Sequence, residues 1–306
     1  MPNVLSEARS EYELHPATPT VTLAFPTPTS QSDVRTLIET SVRLGVREFD
    51  ITVSGSGHET VESWVGEGLR RSGLIREKLT ISARIGLGTQ WCPSAGYTSR
   101  KRILSGLDGV LRRAGLDFLD VLYVHRLDPT TPFEETMEAL SWTVQQGKAM
   151  YAGVSALSPR YLLAASRYLR SLGTPLRMYQ SSYSLSNRWV QKGVTDILRR
   201  EGIGLLAAAP LAHGLLTSRT CTGATSVSNS FPSELSAFGA RKGWTVEEVA
   251  LSWVCSQPAV TSVLIGSSSA DHVTANVLAA EKCRLTRPEL QQLDELSADY
   301  SAWLQR

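Results

Sequence analysis

Asp50, Arg84, His125, Ser155 and Gln180 are the residues of this chain best placed to do chemistry, because each closes a short run rich in apolar and β-branched residues. The runs are 46–50, 79–84, 121–125, 152–155 and 178–180. Each residue alone has an ordinary explanation; an aspartate at a strand end caps the following helix more often than it catalyses. Recurrence on successive strands is harder to assign to accident. An imidazole titrates near neutral pH without help, so His125 is the candidate acid and base. A guanidinium stays charged and presents a fixed fork of donors, which suits Arg84 to a carboxylate or an enolate oxygen. Asp50 is expected to form an ion pair with Arg84. His58 and His213 fall in loops expected to border the same place. Trp91, Tyr183 and Gly55 are expected to line its substrate pocket, where the two rings would suit an apolar or aromatic compound.

What brings such residues together is a rhythm of short strands and longer amphipathic stretches. Candidate strands at 21–25, 46–50, 79–84, 121–125, 152–155, 178–180, 204–208 and 262–265 alternate with candidate helices at 34–44, 62–71, 100–114, 132–146, 159–172, 190–200, 246–256 and 271–280. That alternation is the signature of parallel strands joined by crossover helices. An open doubly wound sheet should announce a glycine-rich phosphate turn after its first strand, and no GxGxxG stands there. The pattern therefore predicts an α/β fold of the closed (β/α)8 TIM-barrel type, whose strand carboxyl ends converge on one mouth.

Composition narrows the classes. The chain has 306 residues, 42% of them hydrophobic, and no Pro/Gly/Ser-rich linker in its middle, which predicts one barrel domain over residues 21–306. Residues 1–20, with Pro16 and Pro19, read as a loosely ordered lead-in. A net charge of +2, with no basic run longer than Arg100-Lys101-Arg102, argues against a nucleic-acid partner. That run reads as the solvated first turn of a helix. Cys92, Cys221, Cys255 and Cys283 show no metal-ligand spacing, which predicts reduced thiols in a cytoplasmic protein without a metal site. No apolar stretch approaches the ~20 residues needed to span a bilayer, and no signal-peptide core is present, so a membrane partner is not expected.

Several segments carry a resemblance. They are Asp120-Val121-Leu122-Tyr123-Val124-His125-Arg126, Gly147-Lys148-Ala149-Met150-Tyr151-Ala152-Gly153-Val154-Ser155, the run 180–190 from Gln180 to Val190, Pro210-Leu211-Ala212-His213-Gly214-Leu215-Leu216, and Val263-Leu264-Ile265-Gly266-Ser267-Ser268. With them the chain resembles the aldo-keto reductases over nearly its whole length. The nearest likeness is to the subgroup of potassium channel β-subunits and bacterial L-glyceraldehyde 3-phosphate reductases. The resemblance implies NADP(H)-dependent carbonyl reduction by an Asp, Tyr, Lys and His tetrad. Asp50 and His125 match that tetrad, whereas Gly55 stands at the tyrosine position and Arg84 at the lysine position. Hydride addition to a carbonyl creates a basic alkoxide, so the transition state needs a proton donor against that oxygen. Glycine has no side-chain donor, and arginine, charged at any working pH, is a poor acid.

The cofactor positions that the resemblance implies are partly kept. Ser155, Gln180, Gly266, Ser268 and Asn276 match, and Arg219 keeps a cation where Lys is usual. Ala208 stands where an aromatic ring would stack on the nicotinamide, Ala156 replaces the polar residue after Ser155, and His272 and Ala275 depart near the adenine end. The segment 214–244 is shorter than the loop that clasps the pyrophosphate in the subgroup.

These readings favour a reductase barrel turned to acid/base chemistry without net redox change. Dehydration, isomerisation or cyclisation of a small carbonyl compound in specialised metabolism would fit, with no cofactor bound. The alternatives are an NADP(H)-dependent carbonyl or imine reductase with another proton donor, such as His58, and a non-catalytic regulatory subunit. Charges kept together at one mouth argue against the last, since a scaffold gains little from them.

Overall fold

The computed structural model describes residues 19–25, 30–51, 58–86, 97–218, 231–282 and 285–303. Their strands are β1 (Thr20–Ala24), β2 (Glu48–Asp50), β3 (Thr80–Ile85), β4 (Leu119–Val124), β5 (Ala149–Ser155), β6 (Leu176–Ser182), β7 (Gly204–Ala208) and β8 (Val260–Gly266). They pair in chain order, all parallel, and β8 returns to β1 to close the barrel. The (β/α)8 expectation is met.

Between the strands lie α1 (Gln31–Arg43), α2 (His58–Arg71), α3 (Arg100–Ala114), α4 (Phe133–Gln145), α5 (Pro159–Ser171), α6 (Val194–Glu201), α7 (Phe231–Lys242), α8 (Val246–Cys255), α9 (Ala270–Lys282) and α10 (Arg287–Trp303). Local chemistry sets their ends. The Ser30 hydroxyl accepts from the Asp33 amide and starts α1, and Thr245 with Glu248 forms a reciprocal capping box on α8. Gly115, at φ 64°, ends α3 in the left-handed conformation that glycine adopts without steric cost. The helix expected over 190–200 is divided instead: a 3-10 turn, Trp189–Gln191, is separated from α6 by Gly193 at φ 94°.

Among the described residues the apolar side chains form two clusters. The larger fills the space between strands and helices, around Phe49, Ile81, Leu122, Ala152, Leu205 and Val263. The smaller lies in the barrel lumen, where Val121, Tyr123, Leu206 and Leu264 pack with Ala24, Met178 and Ala208. Side chains alternate across a strand. The lumen cluster thus identifies the inward set; on β4 it is Val121 and Tyr123, and His125, just past the strand, continues the alternation.

Candidate functional site

The strand carboxyl ends gather the chemistry-bearing residues. Asp50 ends β2 and is fully buried; its Oδ2 lies 3.8 Å from Arg84 Nε on β3, so the expected ion pair is present. At 3.8 Å this is a charge contact rather than a hydrogen bond. Gln180, on β6, reaches across the lumen and brings its Nε2 to 3.5 Å from the same Oδ2. Ser155 ends β5, is buried, and is in register with Gln180. His125 follows β4 immediately, and its amide donates to Ile85 O at 2.9 Å, which ties it beside the end of β3.

At this mouth His125 Nδ1 and Gln180 Oε1 are buried without a hydrogen-bond partner among the described residues. Buried polar atoms are almost always paired, so orphans gathered at one mouth mark a place where a ligand supplies the missing partner.

The structure corrects the expected charge of His125. Burial, then the positive charges of Arg84 and Arg126, lower its pKa from the usual 6.5 to about 4. At neutral pH it is therefore a neutral imidazole with one donor and one acceptor nitrogen, not a proton carrier poised near pH 7. Stability follows. Between about pH 6.5 and about pH 4 the unfolded chain binds this proton and the folded chain does not, so stability falls as pH falls through that window. Denaturant titrations at the two ends of the window should show this loss in the wild-type protein and a smaller one in His125→Gln. An equal loss in both would place the effect elsewhere.

Other expected site residues are less central. Tyr183 does not wall the mouth. It is 1% exposed, lies edge-on to Trp253 of α8 at 5.3 Å between ring centroids, and bonds Gln257 and Gln191 through its hydroxyl. The loop after β6 turns this ring outward into the helix layer, where it packs as core. His213 is exposed beyond β7, in a left-handed conformation at φ 55°. His58 opens α2. Gly55, Trp91 and Arg219 lie outside the described residues. Gly266, ending β8, and Ser268 are exposed, while Asn276 on α9 is buried.

Three residues were missed at the sequence level. Tyr123 stands in the lumen directly below the mouth. Burial pushes its phenol well above the usual range, Asp50 and Glu48 push the same way, and Arg84 opposes them. Glu48 lies in the lumen two residues before Asp50. Asp128 is buried and accepts from the Tyr97 and Thr130 amides and from the Thr130 and Thr131 hydroxyls, which fastens the loop carrying His125 to the segment entering α3. The alternation Val121, Tyr123, His125 and the pair Glu48, Asp50 were the available signals for the first two.

The backbone at the mouth is strained. Ala156, right after Ser155, has φ 56°, and Ala209, right after Ala208, has φ 49°. A left-handed L-residue costs roughly 1–2 kcal/mol, least for Asn and most for β-branched side chains. Ala156→Asn should therefore raise the melting temperature slightly and Ala156→Val should lower it, by about 1 kcal/mol or more of stability. Equal melting temperatures would show that the strand end relaxes.

The described residues fit a nicotinamide cofactor incompletely. Ser155 and the open Gln180 Oε1 could receive an amide, but Ala208, half-buried at the end of β7, offers no ring to stack on.

The chain matches the family model described as "Aldo/keto reductase family" over residues 20–298. It is similar to an L-glyceraldehyde 3-phosphate reductase of Escherichia coli (strain K12), with 35% identity over 289 residues covering 87% of this chain and 84% of the relative. A probable voltage-gated potassium channel subunit beta of Oryza sativa subsp. japonica is 29% identical over 290 residues, covering 87% of each chain. A probable voltage-gated potassium channel subunit beta of Arabidopsis thaliana is 30% identical over 270 residues, covering 80% of each.

Proposed function

The chain belongs to the aldo/keto reductase family, and from that premise we propose that it is an enzyme converting a small carbonyl compound without net redox change, by isomerisation, dehydration or cyclisation. The observation that carries this reading is the pairing, at adjacent strand ends, of a permanent cation with a neutral imidazole. Arg84 and His125 together can hold a carbonyl oxygen as it gains negative charge, Arg84 by its field and His125 by one N–H. A neutral imidazole can also take a proton at one nitrogen while giving one from the other, which suits proton movement between neighbouring substrate oxygens. Asp50 keeps Arg84 in place and offsets its charge. Nothing in these steps needs the phenol that Gly55 lacks. We place such an enzyme in the cytoplasm, in specialised metabolism; no helix among the described residues is long and apolar enough to cross a membrane.

The test is α-proton exchange. A panel of small ketones and hydroxyaldehydes in D2O should gain deuterium faster with wild-type protein than with Arg84→Ala, and no nicotinamide should be required. Absence of exchange across the panel, with aldehyde-dependent oxidation of added NADPH, would replace this reading.

A second reading, an NADP(H)-dependent carbonyl or imine reductase, is favoured by one observation: the unpartnered Gln180 Oε1 beside Ser155. Ser155 and Gln180 would hold the carboxamide, with Gly266, Ser268 and Asn276 on the β8 side. The cofactor, when bound, supplies hydride. One relative's name says reductase.

A further inference from the structure

The barrel has a further chamber, at the end opposite the mouth. A cavity of about 360 Å³ opens among the strand amino ends and runs up to the Tyr123 and Leu206 layer. This is within the range of small-molecule pockets. Its walls are chiefly apolar, from Val121, Met178 and Leu206, with Tyr123 and Tyr151 as aromatic faces. One carboxylate, that of Glu48, lines it.

Glu48 is held with some care. Thr20 Oγ1 donates to Oε1 at 2.6 Å, Thr22 Oγ1 donates to Oε2 at 2.8 Å, and Ser262 Oγ lies 2.8 Å from Oε2. These hydroxyls come from β1 and β8 and aim the carboxylate, but they are uncharged. No ion pair among the described residues involves Glu48, although the barrel's other lumen carboxylate, Asp50, has Arg84. Arg177 lines the same cavity from the exposed start of β6 without pairing with Glu48. A half-buried carboxylate that is oriented yet lacks a counter-charge is completed by a cation. Aromatic rings in the same lining, those of Tyr123 and Tyr151, favour the same sign of charge.

We propose that this chamber binds a small organic ammonium ion, its charged nitrogen on Glu48 and its apolar body against Met178, Leu206 and the two tyrosines. The site is separate from the mouth and holds whether or not the proposed reaction is correct. An ammonium group gains a charge-assisted hydrogen bond to Oε1 or Oε2, where carboxylate lone pairs remain beyond those used by the hydroxyls. A neutral molecule of the same shape gains only burial.

The experiment uses the full chain with 2-phenylethylamine and its neutral counterpart 2-phenylethanol, followed by the Met178 methyl resonance in a methyl-labelled sample, with Met137 and Met150 as internal controls. The amine should shift the Met178 signal with a dissociation constant near or below about 1 mM, and the alcohol should bind at least about tenfold more weakly. Glu48→Gln should abolish that preference. The wild-type comparison stands by itself if the variant fails to fold. Equal binding of amine and alcohol, an unmoved Met178 signal, or a preference retained by folded Glu48→Gln would each overturn the proposal.

Discussion

Arg84→Ala is expected to lower kcat by about 10²–10³ once a substrate is in hand, the usual cost of removing a preorganised donor from a developing oxyanion. His125→Ala should cost a similar factor for the same reason. His125→Gln, which keeps an N–H in reach, should recover part of it. Neither loss should come with a change in circular dichroism, because both side chains end at the barrel mouth and neither belongs to the apolar cores. The pH profile separates the role assigned here from that of a neutral-pH acid or base. With its pKa held at about 4, His125 should leave the rate flat across the neutral range. A bell centred near pH 7 and lost in His125→Gln would return His125 to the role of proton carrier. Wild-type turnover by Arg84→Ala would remove Arg84 from the site.

Gly66→Ala should be the most damaging single-methyl change among the described glycines. A Cβ at Gly66 would sit 1.9 Å from Ala114 O and 2.6 Å from its carbonyl carbon, so α2 and α3 touch backbone to backbone there. The same carbonyl accepts from Arg70 Nη1 at 2.8 Å, which leaves it little room to turn away. The helices would have to separate, at about 3 kcal/mol or more, lowering the melting temperature by about 5 °C or more. Gly68→Ala is the control. Its Cβ would meet the Ile38 Cδ1 atom at 2.5 Å, the free end of a side chain that can rotate, so the cost should be much smaller. Equal losses from the two substitutions would contradict the close approach of α2 and α3.

The strands were legible because short runs rich in β-branched and apolar residues alternate with longer amphipathic stretches, and each expected run overlaps an observed strand. α7 and α10 were not expected. In α7, Pro232 and Gly239 break the apolar spacing; α10 is largely polar and inserts Leu293 into the core. Asp50, Arg84, His125, Ser155 and Gln180 could be placed together because inward residues near the carboxyl end of a barrel strand must face the mouth. The state of His125 could not be read that way. It depends on burial and on two guanidiniums, of which Arg84 is distant in sequence, and a residue's identity does not carry its surroundings. Tyr183 misled for a related reason. An aromatic residue after a strand end faces the mouth or the helix layer according to how the loop turns, and here Trp253, Gln191 and Gln257 receive it. Glu48 and Tyr123 were overlooked because attention to strand ends passes over the lumen residues two places earlier.

In the reaction proposed, this mouth handles carbonyl oxygens with Arg84 and His125 and does not depend on a nicotinamide. Calorimetric titration of the purified full chain with NADPH tests it most directly. With Ala208 giving no stacking surface, the dissociation constant should be weaker than about 1 µM, and aldehydes should not speed NADPH oxidation. Binding at about 1 µM or tighter, with aldehyde-dependent loss of nicotinamide fluorescence, would contradict the account and make this chain a reductase with an unrecognised proton donor.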